Sequence, residues 1–302
     1  MVKKTYKKLK MKIDLTNIEN SDIKYTISKF PDGQQNITIY DFYDLDLSFD
    51  NDTDEVIIKS RMSSFCDLEL IIATNQALKE QGHKNIHLYT PYFLGARSDR
   101  KFIDGQTNYL KNVICPIINS QNFQTVTVFD PHSDVLEACL NNFKKISNVN
   151  FVKDIIDFVR NDESNRVDDN ITLISPDAGA LKKVYDVAKA CNIKNVIVAN
   201  KLRNLETGQI IRTEVPNLDQ EPGEKHFIIV DDICDGGRTF IEIAKAIREV
   251  RSKSIFNDKL TLIVSHGIFS GGFGELYKYF NNIYSTNSYS DSIGVTQSDI
   301  FK

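Results

Sequence analysis

Most of the sequence alternates between short apolar segments rich in β-branched residues and longer stretches with helical periodicity. Six apolar segments predict strands, at residues 86–89, 126–129, 171–174, 196–199, 227–230 and 260–264. Three stretches predict helices, at residues 65–81, 181–190 and 240–250. Strands that are apolar throughout, with helices between them, are typical of parallel sheets covered on both faces. The pattern therefore predicts an α/β fold with mainly parallel sheets.

The length of the chain and the repetition of this pattern predict two domains. A chain of 302 residues corresponds to about two domains of ordinary size. The alternation occurs in both halves, and the polar stretch 161–170 is typical of a surface loop near a domain boundary. We expect similar domains at residues 1–155 and 156–302, with a C-terminal tail that could pack back on the first. In the first domain, Pro31-Asp32-Gly33 predicts a turn between two extended segments.

Charge and composition limit the partners that we expect. The net charge of −4, without a basic and aromatic pattern, predicts no nucleic-acid partner. No apolar run approaches the length that spans a membrane, which predicts no membrane partner. The five cysteines are odd in number and form no Cys-x-x-Cys pair, so they predict reduced thiols and suit a cytoplasmic location. The lysine-rich segment from Lys3 to Lys12 is typical of a solvated tail.

The strongest chemical signal follows the strand predicted at 227–230. Two carboxylates, Asp231 and Asp232, come first, and a glycine-rich turn then leads into the helix predicted at 240–250. Backbone N–H groups at such a turn and helix start form a cradle for an anion. The paired carboxylates suit ribose hydroxyls, which need hydrogen-bond acceptors. The sequence therefore predicts a phosphate and ribose site at Asp231 and Asp232 with the turn Asp235, Gly236, Gly237, Arg238 and Thr239.

This stretch resembles the phosphoribosyl-diphosphate loop shared by type I phosphoribosyltransferases and phosphoribosyl-diphosphate (PRPP) synthetases. Two further segments resemble the synthetases specifically. Residues 91–101 resemble the family's ATP loop, which implies ATP contacts for Arg97, Ser98 and Asp99. Residues 128–133 resemble its Asp-Leu-His segment, which implies that His132 contacts the metal-bound ATP phosphates. Taken alone, the first could be a basic surface loop and the second a structural histidine.

Two more segments carry the resemblance into the second half of the chain. Residues 174–183 match the family's Ser-Pro-Asp-x-Gly loop, which implies magnesium binding by Asp177, together with His132. The small residues of this loop would let the helix start approach the diphosphate, and these residues are Ala178, Gly179 and Ala180. Lys201 and Arg203 match the Lys-x-Arg of a flexible catalytic loop, which continues through 204–224. A plain helix cap and an exposed basic pair are the alternative interpretations of these two segments.

Outside these loops, Phe30, Asp32 and Gln34 resemble the family's adenine-site segment, with Gln34 in place of a glutamate. Residues 265–270 resemble its Thr-His-Gly-x-Phe-Ser segment. The phosphate turn departs from the family's Asp-Thr-x-Gly-Thr, because Gly236 replaces a hydroxyl residue and Arg238 adds a positive charge. A wider, more basic turn would suit an acceptor with an extended 5-phosphate, such as ADP-ribose. Sequence drift, with Arg238 facing solvent, is the alternative.

The resemblance implies two type I phosphoribosyltransferase-like domains, each a mainly parallel sheet flanked by helices. It also implies an enzyme that moves the β,γ-diphosphate of ATP to the C1 hydroxyl of a ribose 5-phosphoryl compound, with Mg2+ as cofactor. The partners would be ATP, ribose 5-phosphate or ADP-ribose, and further copies of the chain in a dimer-based homo-oligomer, up to a hexamer. A phosphoribosyltransferase and a non-catalytic regulatory homologue remain the competing interpretations.

Overall fold

A computed structural model describes residues 9–40, 53–161, 170–203, 210–252 and 257–302. For residues 201–203 and 210–212 it describes the backbone alone. The first part of the lysine-rich segment and the interior of the polar loop expected at 161–170 lie outside the described residues.

The chain divides into two compact units. Unit 1 consists of residues 1–146 and 300–302, and unit 2 consists of residues 147–299. The division falls before the boundary expected near residue 155, because the helix Val149–Asn161 packs in the core of unit 2.

Unit 1 is built on a parallel sheet with one antiparallel hairpin beside it. Its strands are β1 (Lys10–Asp14), β2 (Tyr25–Lys29), β3 (Gln35–Ile39), β4 (Glu55–Lys59), β5 (Asn85–Tyr89), β6 (Val126–Phe129) and β7 (Phe143–Ile146). Its helices are α1 (Phe65–Glu80), α2 (Cys115–Ser120) and α3 (Val135–Cys139), with a π-helical turn at Leu110–Ile114. The sheet has the order β1-β4-β5-β6-β7 with every pair parallel. Strands β2 and β3 form the hairpin around the turn expected at residues 31–33.

Unit 2 has a larger parallel sheet. Its strands are β8 (Ile171–Ser175), β9 (Asn195–Val198), β10 (Asn200–Arg203), β11 (Ile210–Glu214), β12 (His226–Cys234), β13 (Lys259–Gly267), β14 (Asn282–Thr286) and β15 (Thr296–Ser298). Its helices are α4 (Val149–Asn161), α5 (Leu181–Ala190) and α6 (Arg238–Arg251). Six strands pair in parallel in the order β15-β14-β13-β12-β8-β9, while β10 and β11 form an antiparallel hairpin. The predicted fold class, two mainly parallel sheets flanked by helices, is confirmed.

Strand β12 shows why its residues form a central strand. Phe227 and Ile229 point into the same apolar cluster as helix α6, whereas Ile228 and Val230 point into the cluster that contains α4 and α5. Side chains alternate between the two faces of a strand, so a strand buried on both faces must be apolar throughout. All four side chains are buried, as expected for the centre of a covered parallel sheet.

The order of strands in unit 2 reverses between β8 and β12. From β8 the chain moves outward to β9 on one side, and then from β12 through β13 and β14 to β15 on the other. In open α/β sheets, ligands bind in the crevice at the carboxyl ends of the strands where the order reverses. The loops after β8 and β12 are therefore the topologically favoured binding place in this unit.

Two segments differ in extent from the sequence expectation. Strand β12 continues to Cys234, past both carboxylates, because Asp231, Ile233 and Cys234 pair with β13. The stretch after Arg203, expected as one flexible loop, contains strand β11 and a 3-10 turn at Leu218–Gln220. In the part of the chain that the structure describes, no helix is long and apolar enough to cross a membrane.

Candidate active site

The phosphate turn connects β12 to α6. Gly237 is the N-terminal cap of α6 and has a φ of 79°, a left-handed conformation that glycine adopts without strain. A Cβ atom at this position would also lie 2.9 Å from the Leu276 side chain. Arg238 is exposed and Thr239 is half-buried, and both lie in the first turn of the helix. The turn therefore presents backbone N–H groups at a helix start, as the sequence predicts.

The two carboxylates of β12 differ in environment. Asp232 is buried, and its backbone N–H donates a hydrogen bond of 2.9 Å to Oδ1 of Asp231. Burial raises the pKa of Asp231 well above its usual value. The negative charge of Asp232 raises it further, and that of Asp177 adds to the effect. Three carboxylates thus lie close together at the reversal point between β8 and β12. Such crowding raises the free energy of the ionised form unless cations or hydroxyl donors are present.

Asp177 lies in the loop that follows β8. Its Oδ1 accepts hydrogen bonds from the backbone N–H groups of Gly179 (3.0 Å) and Ala180 (3.2 Å). Ser175 Oγ donates to the Asp177 carbonyl, which fixes the start of the loop. Both donors lie in the turn before α5, and the N-terminal cap of the helix, Ala180, has no side-chain cap hydrogen bond. Asp177 therefore closes the loop and does not cap the helix. A diphosphate bound to the same N–H groups would have to displace its Oδ1.

Lys183 is the functional candidate that the sequence analysis did not assign. Its Nζ lies 3.4 Å from Oδ2 of Asp232, and its side chain is 23% exposed. The residue lies in the first turn of α5, so it connects the loop after β8 with the carboxylates of β12. No local signal distinguishes Lys183 from its neighbour Lys182, because only the placement of α5 over the sheet brings one of them to Asp232.

In unit 1, the loops after β5 and β6 meet at Asp99. The Asp99 carboxylate is buried and accepts two hydrogen bonds from Arg100, of 2.8 and 3.0 Å. Arg100 is the main cause of the lowered pKa of Asp99, and Ser133 and His132 lower it further. The two predicted ATP segments therefore lie close together near Asp99, and Arg97 and His132 are exposed.

The remaining predicted ATP residues lie at the tip of the β2–β3 hairpin. Phe30 is 50% exposed, and Asp32 and Gln34 are also exposed. The tip is closed by hydrogen bonds between the backbones of Phe30 and Gln34 and from the Gln34 N–H to Asp32. An exposed aromatic ring at a rigid turn suits contact with a partner or ligand, and the adenine role of these residues stays a prediction.

Lys201 and Arg203 lie on β10, which pairs with β11. The pairing shifts in register between Leu202 and Arg203. Their side chains are outside the described part of the structure, and residues 204–209 of the predicted catalytic loop are as well.

No group of three or more His, Cys, Asp or Glu side chains in the described ranges is arranged to hold a metal ion. Mg2+ in phosphate-transfer sites is typically held by one or two carboxylates, with substrate phosphates and water completing its shell. The oxygen ligands at Asp177, Asp231 and Asp232 fit a metal that binds together with a phosphate substrate.

Comparison with known proteins agrees with this geometry. The family described as "Phosphoribosyl transferase domain" matches residues 146–259, which hold the loops after β8 and β12. The ribose-phosphate pyrophosphokinase of Thermococcus kodakarensis is 25% identical over 264 residues, covering 86% of this chain and 83% of the relative. That of Pyrococcus abyssi is 26% identical over 272 residues, covering 88% and 84%.

The fold also matches a solved structure over both units. The phosphoribosylpyrophosphate synthetase of Mycobacterium smegmatis superimposes with a TM-score of 0.75 at 15% identity, over 97% of this chain and 95% of the other. At this identity the match establishes the fold. Taken with the relatives, which are similar over most of their length, it shows that the chain is similar to ribose-phosphate pyrophosphokinases in both sequence and fold.

Proposed function

We propose that this protein transfers the β,γ-diphosphate of ATP to the C1 hydroxyl of ribose 5-phosphate, giving AMP and ribose 5-phosphate 1-diphosphate. The observation that carries the proposal is the convergence of Asp177, Lys183, Asp231 and Asp232 where the strand order of unit 2 reverses, next to the turn 235–239. The carboxylates supply acceptors for ribose hydroxyls, and the N–H groups of the turn supply donors for a phosphate. The Lys183 ammonium lies beside the carboxylates and offsets part of their charge.

In this proposal the chain acts mainly by positioning and by neutralising charge. The N–H groups of the 235–239 turn bind the 5-phosphate, and Asp231 and Asp232 accept hydrogen bonds from the ribose hydroxyls. The loop 177–180 binds the diphosphate as it forms. Lys201 and Arg203 stabilise the negative charge of the transferred group from the β10–β11 hairpin. The C1 oxygen forms a bond to the β-phosphorus as the bond to the AMP oxygen breaks.

Unit 1 would contribute the ATP contacts. Arg97 and His132 are exposed on neighbouring loops, and Asp99 holds the Arg100 guanidinium of its own loop. An arginine and a histidine placed in this way can bind the oxygens of a polyphosphate. Phe30, Asp32 and Gln34 are the proposed adenine contacts.

Mg2+ is the cofactor that suits these residues, with Asp177 as the proposed protein contact in unit 2, while His132 in unit 1 is a proposed contact of the ATP phosphates. Bound to the ATP oxygens, the metal would neutralise the charge that builds up during transfer. A bound cation would also offset the repulsion between the carboxylates of Asp177 and Asp231.

One observation favours a larger acceptor, ADP-ribose, as a second candidate. Gly236 is exposed and has no side chain, and a Cβ atom here would be in ordinary contact with Ser270 Oγ at 3.7 Å, so the missing side chain leaves space beside the turn. Arg238 is exposed at the helix start, where it can meet a second phosphate. Ribose 5-phosphate needs neither feature.

The test is AMP release from ATP and Mg2+ with ribose 5-phosphate or ADP-ribose as acceptor, measured in parallel by chromatography. Release with ribose 5-phosphate alone supports the first candidate and removes the argument from Gly236. Release with ADP-ribose alone supports the second. Release with neither acceptor contradicts diphosphate transfer and favours a phosphoribosyltransferase or a regulatory protein.

Two controls make this result specific. Chelation by EDTA should abolish AMP release, and Asp232→Asn should reduce it at least about 100-fold, as expected for loss of a charged contact to a reacting substrate. Glu249→Gln, at an exposed position of α6, should leave it unchanged.

A further inference from the structure

The loop that follows β13 lies against the phosphate turn. The N–H groups of Ile268 and Phe269 both donate to the carbonyl of Cys234, at 2.8 and 3.1 Å. Ser270 Oγ donates a hydrogen bond of 2.6 Å to Oδ1 of Asp235. The loop therefore contacts the end of β12 through its backbone and the turn 235–239 through a side chain.

This loop holds a strained conformation. Phe269 has a φ of 51°, which is uncommon for a residue with a Cβ atom, and its ring is buried in the core of unit 2. A Cβ atom at Gly267 would lie 2.1 Å from that ring, so the backbone can turn here only with glycine. Strain of this kind persists where the surrounding structure fixes it, and it is concentrated at functional sites.

Gly271 lies directly against the Gly236 peptide of the turn. A Cβ atom at Gly271 would lie 2.9 Å from the carbonyl oxygen of Gly236. Gly274, by contrast, has open space around its Cβ position and has no positive φ. A side chain at residue 271 would therefore move the Gly236 peptide, whereas one at residue 274 would be accommodated.

We infer that Ser270 and Gly271 form a brace that sets the conformation of the phosphate turn, with Ser270 as a positioning residue that acts through Asp235. A carboxylate beside a bound phosphate repels it unless the carboxylate is held aside. The Ser270 hydroxyl holds Oδ1 of Asp235 on the side of the β13 loop, and Gly271 lets the Gly236 peptide keep its orientation. The inference rests on the proposed role of residues 235–239 in binding the acceptor's 5-phosphate.

The test compares Ser270→Ala and Gly271→Ala with the matched control Gly274→Ala. We expect Ser270→Ala to raise the KM for the acceptor about 5- to 30-fold, less than the roughly 10- to 100-fold of a direct hydrogen bond to a charged group, because Ser270 acts through Asp235. Gly271→Ala should raise it more. The kcat and the KM for MgATP should stay within about threefold of wild type in both. Ser270→Thr keeps the hydroxyl and should restore most of the acceptor affinity.

A second readout does not depend on catalysis, namely thermal stabilisation of the protein by ribose 5-phosphate and by inorganic phosphate. We expect both brace variants to lose this stabilisation while their melting temperatures without ligand remain near that of Gly274→Ala. If phosphate stabilises the wild type but no AMP forms, the proposed function fails and the brace is still tested by binding.

Three results would overturn the brace. One is an acceptor KM and a phosphate response of wild-type size in both variants. Another is a change in the KM for MgATP or in kcat as large as that in the acceptor KM, since this would indicate a general structural effect. The third is a wild-type protein that neither responds to ribose 5-phosphate or inorganic phosphate nor releases AMP, and this would overturn both proposals.

Discussion

Lys183 Nζ lies 3.4 Å from Oδ2 of Asp232, so α5 and β12 are connected by a cation at the carboxyl edge of the sheet. The pair is mostly shielded from solvent, with side-chain exposures of 23% and 8%. A contact of this kind both fixes the direction of the Asp232 carboxylate and offsets part of the negative charge around it.

Replacing Lys183 should therefore weaken the enzyme strongly. We expect Lys183→Met to lower kcat/KM for the acceptor about 10- to 100-fold, because loss of one charged hydrogen bond in a shielded site corresponds to about 1.5–3 kcal/mol. The matched control is Lys182→Met, since Lys182 is exposed on the same helix. Equal effects of the two variants on AMP release would contradict the role of Lys183.

Replacing the Asp231 carboxylate should raise the stability of the folded protein and largely abolish its activity. Its pKa is raised in the folded protein, so folding stability falls as the pH rises from the unfolded value near 3.8 through the raised pKa. Asp231→Asn removes this penalty. We expect its melting temperature at pH 8 to rise by about 2–4 °C, the size of a shift of about 1 kcal/mol in a domain of this length.

The same variant should release little AMP, because an amide keeps one neutral acceptor oxygen where the ribose diol meets the two oxygens of a carboxylate. Asp186→Asn, on the exposed face of α5, is the control. A melting temperature of Asp231→Asn below wild type at pH 8 would show that the crowding of carboxylates is not unfavourable.

His226 predicts a loss of stability in acid. Burial, and secondarily the charge of Lys259, lowers its pKa to about 4, and its Nε2 lies 2.8 Å from Thr261 Oγ1. The unfolded chain takes up the proton near pH 6.5 and the folded protein only near pH 4, so its contribution to stability is complete above pH 6.5 and is lost between these values. The loss amounts to roughly 2–4 kcal/mol.

Denaturant unfolding at pH 7, 5.5 and 4.5 measures this effect. His226→Gln does not titrate, so its stability should depend less on pH in this window. A residual slope is expected from His83, whose pKa burial also lowers. An unchanged slope in His226→Gln would contradict the assignment.

Phe301 should be essential to unit 1. Its ring is 1% exposed and packs edge-on against Tyr89 at a centroid distance of 6.0 Å, with the Arg61 guanidinium 5.7 Å from its centre. Lys59 Nζ donates to its carbonyl, and Tyr89 Oη donates to that of Ile300 at 3.0 Å. We expect Phe301→Ala to destabilise unit 1 by about 3–5 kcal/mol, as for other buried aromatic truncations.

Hydrogen exchange resolved by peptide is the suitable measurement, because it reports on each unit separately. Protection should fall in β4 and β5 and stay constant in β12 and β13. Lys302→Ala, at an exposed position, is the control. Equal loss of protection in both units would indicate a global effect instead.

Strands with a continuous apolar sequence could be predicted. A strand that forms because it pairs with a neighbour in the sheet could not. All six predicted strands are present, because each is buried on both faces or nearly so. Strand β7 was missed because Lys144 and Lys145 make it polar and mostly exposed. Among the described strands it pairs with β6 alone, at the edge of the sheet, where charged residues discourage further pairing.

The candidate site shows the same division. The loops 177–180 and 231–239 carry their chemistry in consecutive residues, so the sequence predicts them directly. The contacts of Lys183 with Asp232 and of Ser270 with Asp235 join residues 49 and 35 positions apart. Each depends on which elements lie side by side in the sheet of unit 2, and one chain's sequence contains no local signal of that order.

The contact between Lys59 and Phe301 joins residues 242 positions apart. During synthesis from the ribosome, strands β4 and β5 emerge early, but the aromatic ring that covers the end of their sheet emerges only after the whole of unit 2. Unit 1 is therefore synthesised first, but it is complete only when residues 300–302 have been made. A fragment that stops before residue 300 would leave Tyr89 and Lys59 without these contacts, so attempts to produce unit 1 alone should supply residues 300–302 as a fused segment or a peptide.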